Sequence, residues 1–287
     1  MIQDYVVLTG INIVLAWSVY IILLSGSLSF ANGGFMAMGA YASSVLTVNF
    51  GFPLILAAIT AAIGTGIFGC LIGFPALRTR GIYLILLTTG VAVLVQSAIE
   101  SIPYIGAIQG FGGMSGTQPW HIVVLVLVVG AALWLISHSS LQRTLETVRE
   151  DELVANSLGM HVVYIKLVCF GVGAGIAALA GSYYAHYMLF ISPDQFGIVT
   201  SVFIVLYVVL GGTNNMWGPV LGATIMTLLP ELARGLGSWR PTAFGVVILL
   251  LLLIRPEGLL SFRRVTVKRQ DAEPWNSGPN PAGQGDA

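Results

Sequence analysis

The sequence predicts an all-α, polytopic integral membrane protein with about 8–10 transmembrane helices, on three observations. The chain is 56% hydrophobic and only 8% charged across 287 residues, whereas a soluble domain is about 25% charged. Apolar runs recur near the roughly 20 residues that one bilayer crossing needs. These runs are unbroken and carry no strand-like alternation, which favours helices over a closed β-barrel. Little of the chain is left for a separate soluble domain.

In chain order the runs place spans near 5–24, 34–48, 53–74, 82–99, 122–136, 165–185, 197–210, 218–232 and 243–254. The first has no basic segment before it, and Asp4 is its only charge, so it reads as a retained span rather than a cleaved signal peptide. Several runs are short and rich in the chain's 35 glycines. Residues 1–262 form the expected membrane domain. The tail, 263–287, has Pro, Gly, Asn and Asp without apolar periodicity and reads as disordered and cytoplasmic.

With nine crossings, Arg78, Arg80, Arg143, Arg149, Lys166, Arg255, Arg263, Arg264, Lys268 and Arg269 share one side. Only Arg234 and Arg240 fall opposite. The positive-inside rule makes the crowded side cytoplasmic, with the N-terminus outside and the C-terminus inside. Trp120, Trp217 and Trp239 lie near span ends, as interfacial anchors do.

One water-facing segment stands out. The loop at about 138–164 carries Arg143, Glu146, Arg149, Glu150, Asp151 and Glu152, and charges at that density cannot lie in hydrocarbon. Ser139 followed by Gln142 fits a capping box, and Gly159 supplies a left-handed stop. Leu141, Leu145, Val148 and Ala155 fall on one stripe of the helix between them, with Arg149 and Glu150 on its flanks or opposite face. Such a helix either docks into a partner's groove or rests its stripe on this protein's own helices.

Three Gly-rich segments follow a second pattern: 26–41, 110–116 and 210–222. Close helix packing accounts for most of these glycines. Polar side chains within or beside them, Ser27, Ser29, Asn32, Asn214 and Asn215, sit at the depth or border of the hydrocarbon. Irregular polar backbone at depth is tolerated where it is buried in protein or lines a cavity. Ser29, Asn32, Asn214 and Asn215, with Thr88 of the fourth span, are therefore candidates to line a path. Glu100, His186, Asp194 and Glu231 fall near outer span ends, where a solvated rim is expected.

Several functions lack anchoring residues. There is no phosphate-binding GxxxxGK[ST] loop, so ATP dependence would need another subunit. No nucleophile elbow, paired histidines or carboxylate dyad supports an enzyme. Cys70 and Cys169 sit in apolar runs as small core residues. No metal, no cofactor and no nucleic-acid partner is expected.

Five segments in order carry a resemblance: LSFANGGFMAMGAY (28–41), LRTRGIYLILLT (77–88), LETVREDELVANSLGMHVVYIKLVCFGVGAGIAALAGSYYAHYMLFISPDQFG (145–197), VVLGGTNNMWGPVLG (208–222) and RPEGLL (255–260). Together they resemble the M-type membrane permease of bacterial branched-chain amino-acid ABC importers. The resemblance implies an ABC importer permease fold in the cell inner membrane and transport without chemistry. It implies a second, paralogous permease, two cytoplasmic ATPase subunits and a periplasmic substrate-binding protein as partners. It assigns Arg149, Glu150, Asp151 and Glu152 through Gly159 to a coupling helix on the ATPase. The cargo implied is a branched-chain or related small amino acid. The chain departs from the family at Val93 and Gln96, where an acidic and a basic residue are frequent, and at Phe111-Gly112-Gly113. An ATP-independent transporter or channel for small polar solutes is the alternative, and it would have no need of the charged loop.

Overall fold

A computed structural model describes residues 2–79, 81–232, 242, 245–249, 253 and 258–260. Half of the expected ninth span lies outside the described residues, although 245–249 and 253 are helical. So do Arg80, Arg234, Trp239, Arg240 and the whole expected tail.

Ten α-helices are described: α1 Ile2–Leu24, α2 Asn32–Val48, α3 Leu54–Ala76, α4 Ile82–Glu100, α5 Pro119–Ser137, α6 Ser140–Glu150, α7 Glu152–Ser157, α8 Val162–Met188, α9 Ile198–Gly211 and α10 Trp217–Leu232. By length and composition, six helical segments among the described residues can cross a membrane: α1, α3, α4, α5, α8, and α9 with the 3₁₀ turn before it. The helices α2 and α10, with 17 and 16 residues, are shorter than the roughly 20 residues of a full crossing. For α2 the non-helical stretch 25–31 supplies the missing length.

The helix α1 is the hub. Of its most apolar window 72% is buried, against 22% for α5. It packs on α8, α10, α5 and α9, which explains an apolar sequence with no polar face. The helix α3 instead exposes Ile59, Ile63, Ile67 and Leu71, the signature of a surface that meets lipid or another subunit.

Small residues set the closest contact. A Cβ added at Gly181 of α8 would lie 2.0 Å from Met36 O, and one at Gly39 of α2 would lie 2.2 Å from Ala178 O. Without glycine at both positions the two backbones could not approach so closely. Ser182 Oγ donates to Gly39 O at 3.1 Å across the same seam. Cys70 and Cys169 are both free and sit on α3 and α8.

The LGGTNNMWGPVLG segment folds as a tight α9–α10 turn. Gly222 packs on Tyr207 O, and Leu259 and Leu260 donate backbone hydrogen bonds to Leu210 and Gly211. At the other end of the bundle, Phe111–Gly112 (β1) pairs antiparallel with Phe190–Ile191 (β2). The expected solvated rim is corrected here for His186. It is 1% exposed, and its ring hydrogen-bonds Ser182 O and Thr47 Oγ1, each at 2.8 Å. The α2–α8 packing covers it. Glu231, by contrast, hydrogen-bonds the Tyr5 hydroxyl.

Candidate functional site

Two places gather the residues singled out above. The first is the charged loop, which folds as a hairpin of two helices rather than one continuous helix. Asp151 breaks it, with φ −153° and ψ 109°. Its Oδ1 then accepts from Leu153 N at 2.8 Å and Val154 N at 3.2 Å, starting α7. A carboxylate that satisfies two first-turn amides favours a new helix over a continued one. Ser139 does cap α6, accepting from Leu141 N at 3.2 Å, but the expected capping box is absent. Gln142 donates instead to Glu146 at 3.1 Å, one turn on. Gly159 takes φ +79° just after α7, as expected of a left-handed stop.

Three of the four residues of the expected stripe are buried, on both sides of the break. Leu145, Val148 and Ala155 are buried at 8%, 1% and 0%, while Leu141 is 58% exposed. The buried three rest on this protein's own body, with Met160, Val162 and Ile165 beside them. Outward stand Leu153 at 75%, Leu158 at 66% and Val154 at 50%. These three lie off the stripe of Leu141, Leu145, Val148 and Ala155, and the sequence reading did not single them out.

The charged residues of the loop divide by role in the fold. Arg149, itself exposed, donates to Thr213 O at 3.3 Å and Thr213 Oγ1 at 3.0 Å, fastening α6 to the α9–α10 turn. Glu152 pairs with Lys166 Nζ at 2.6 Å, fastening α7 to α8. Glu150 is exposed. Arg78, Arg143, Arg149 and Lys166, the described members of the basic set, all lie at this end of the bundle. Asn214 and Asn215 lie here too, exposed in the α9–α10 turn. They line small cavities of about 290 and 330 Å³ with Gln142 of α6. They are therefore not beside Ser29, Asn32 and Thr88.

Those three form the second place, deep in the bundle, each 0% exposed. The stretch before α2 dips between the helices, and its amides find side-chain acceptors on three different spans. Phe30 N donates to Thr88 Oγ1 of α4 and Gly33 N to Ser201 Oγ of α9, both at 3.1 Å. Asn32 Nδ2 donates to Ser18 Oγ of α1 at 2.8 Å. Ser29 Oγ accepts from Ala31 N at 3.2 Å. Unwound backbone at this depth persists because neighbouring spans satisfy it. Of the side-chain atoms of Ser29, Asn32 and Thr88, Asn32 Oδ1 is buried without a hydrogen-bond partner among the described residues. Gln96, at the other end of α4, donates to Glu100 at 3.0 Å, and Val93 is exposed. No group of three or more His, Cys, Asp or Glu gathers for a metal among the described residues.

Six helical segments able to cross a membrane, with a charged hairpin at one end of the bundle, make this a polytopic membrane protein. Residues 1–255 match the family described as branched-chain amino acid transport system, permease component, and the chain belongs to that family. It is 29% identical to the high-affinity branched-chain amino acid transport system permease protein LivM of Salmonella typhimurium, over 94% of this chain and 72% of that protein. Against LivM of Escherichia coli K12 the identity is 30%, over 92% and 71%. A more distant likeness, 27% over 85% of the chain and 75% of the relative, is to the autoinducer 2 import system permease protein LsrC of Escherichia coli O9:H4. No solved structure matches. The chain is thus a multi-pass inner-membrane permease component, a transport subunit rather than an enzyme.

Proposed function

We propose that this chain forms part of the path for branched-chain or related small amino acids in an importer driven by separate ATPase subunits, and that the α6–α7 hairpin is its coupling element. The observation that carries this is the two-sided construction of the hairpin. One side is fastened to the bundle through Arg149–Thr213 and Glu152–Lys166. The other presents Leu153, Val154 and Leu158 to water. An apolar knob on a fastened mount transmits force to whatever groove receives it, and apolar residues left in water otherwise weaken solubility.

The hairpin end is the cytoplasmic end, on the ten-to-two division of basic residues,. Leu153, Val154 and Leu158 seat on the ATPase. Arg149, Asp151, Glu152 and Gly159 set the shape of the mount, and Glu150 flanks the contact. A second, paralogous permease and a periplasmic substrate-binding protein complete the assembly, as the family membership suggests. The Ser29–Asn32–Thr88 node is the point at which the path opens. Its hydroxyls, amide and freed backbone groups suit the ends of a zwitterion, and it offers no partner to a strongly charged solute.

The test is co-purification of this chain with two ATPase subunits and faster ATP hydrolysis when binding protein loaded with leucine, isoleucine or valine is added. Uptake of labelled leucine by membranes holding this chain without ATPases would overturn the reading in favour of an ATP-independent transporter.

A further inference from the structure

Beside the hairpin lies a cavity of about 550 Å³, bounded by the α3–α4 turn on one side and by α7 and the start of α8 on the other. Three features of its wall point to an anion. Two long helices begin at it, α4 just after Gly81 and α8 at Val162, and neither N-terminus has a side-chain cap. Uncapped first-turn amides and the positive end of the helix dipole attract negative charge. Two cations also line it. The Arg78 guanidinium lies 4.7 Å from the Phe74 ring centroid and makes no ion pair among the described residues, and Lys166 reaches in beside it. The third feature is Ser27, only 2% exposed, whose Oγ has no hydrogen-bond partner among the described residues although it lines this wall. A buried hydroxyl left unpaired costs stability unless something completes it.

Among the described residues Glu152 is the one carboxylate on the wall, and Lys166 already pairs with it at 2.6 Å. The site therefore keeps a net positive character from Arg78 and the two helix ends. Elsewhere on α3 and α4, the two membrane-crossing helices that the turn joins, Leu71, Ile82 and Leu86 are 70%, 67% and 62% exposed. Basic pockets at this level of a membrane protein fit lipid headgroups.

We infer that this cavity binds the phosphate of an anionic phospholipid, with Arg78, Ser27 and the N-termini of α4 and α8 around the headgroup and the acyl chains along α3 and α4. A lipid seated there touches Asn156 and Glu152 of α7 and braces the hairpin against the transmembrane body. The inference stands apart from the identity of the transported solute.

The experiment uses the purified, delipidated full-length chain and native mass spectrometry. Phosphatidylglycerol should be retained at one molecule per chain, more tightly than phosphatidylcholine. Arg78→Gln should weaken retention about five- to tenfold, as expected for losing one interfacial cation, while Arg78→Lys keeps it. Ser27→Ala should weaken it by less. Equal retention of both lipids by the wild-type chain would overturn the site without recourse to any variant. Displacement of phosphatidylglycerol by millimolar inorganic phosphate would overturn the lipid source and assign the cavity to a free anion.

Discussion

Replacing Gly181 with Ala places a methyl where the α8 backbone meets α2. The added Cβ would stand 2.0 Å from Met36 O, 2.9 Å from Met36 C and 3.1 Å from Met36 Cα, where ordinary contact begins at 3.4 Å. The obstacle is backbone, which cannot rotate aside, so the helices must part by about 1.4 Å at this point. A radial gap of that order forfeits at least a quarter to a half of each van der Waals contact along the seam. Overpacking of a core costs about 1–3 kcal/mol, and a backbone clash belongs at the upper end. Parting also stretches the Ser182–Gly39 hydrogen bond, 3.1 Å long, worth about 0.6 kcal/mol in a membrane bundle. The expected loss is therefore about 3 kcal/mol. The control is Gly90→Ala in α4, where an added Cβ meets nothing within 4 Å and helix propensity favours Ala by about 0.5–1 kcal/mol. Unfolding in mixed micelles, titrated with a denaturing detergent and followed by circular dichroism, reads both variants. Gly181→Ala should unfold well before wild type, and Gly90→Ala at or after it. Coincident transitions for the two alanine variants would refute the close α2–α8 approach.

Three further outcomes are expected. Leu153→Ser with Leu158→Ser should abolish energised uptake while leaving the chain inserted and folded; unimpaired uptake would remove the exposed α7 face from the coupling role. Exchanging the charges of the Glu152–Lys166 pair should restore the protease resistance of the hairpin that Lys166→Glu alone lowers, a recovery on the order of 1 kcal/mol for a partly exposed pair; an exchange no better than the single change would mean the pair fastens nothing. On a background with Cys70 and Cys169 replaced, Thr147→Cys should resist a membrane-impermeant thiol reagent in intact cells, and Ser115→Cys should react. Labelling of the residue at 147 from outside inverts the topology.

The crossings were legible because hydropathy depends on composition over a window, and eight of the nine expected spans coincide with described helices within a few residues. What depends on partners was less so. The buried stripe held across Asp151, where Val148 and Ala155 share one cluster, but the hairpin's outward face escaped because Leu153, Val154 and Leu158 lie off that stripe and form no periodic pattern of their own. Ser29, Asn32 and Thr88 were legible as polar groups at depth, but no periodicity reveals that Thr88 of α4 and Ser201 of α9 reach the same bend. Asn214 and Asn215 have the same side chain as Asn32, yet the glycines around them turn the chain outward to water. His186 was misplaced at a rim because distance along a span says nothing about what lies across it.

The pairing of β1 with β2 has a consequence in time. Phe111 and Ile191 come from opposite ends of the stretch that contains α5 through α8. On a translating ribosome the first strand therefore waits roughly 4 to 16 s for the second at typical synthesis rates. If α8 threads the bilayer in the wrong sense, Ile191 emerges at the hairpin end and the ribbon has no partner. The ribbon thus closes only over a correctly inserted α8. Until then Phe111–Gly112 is an unpaired strand edge, open to pairing with another chain,.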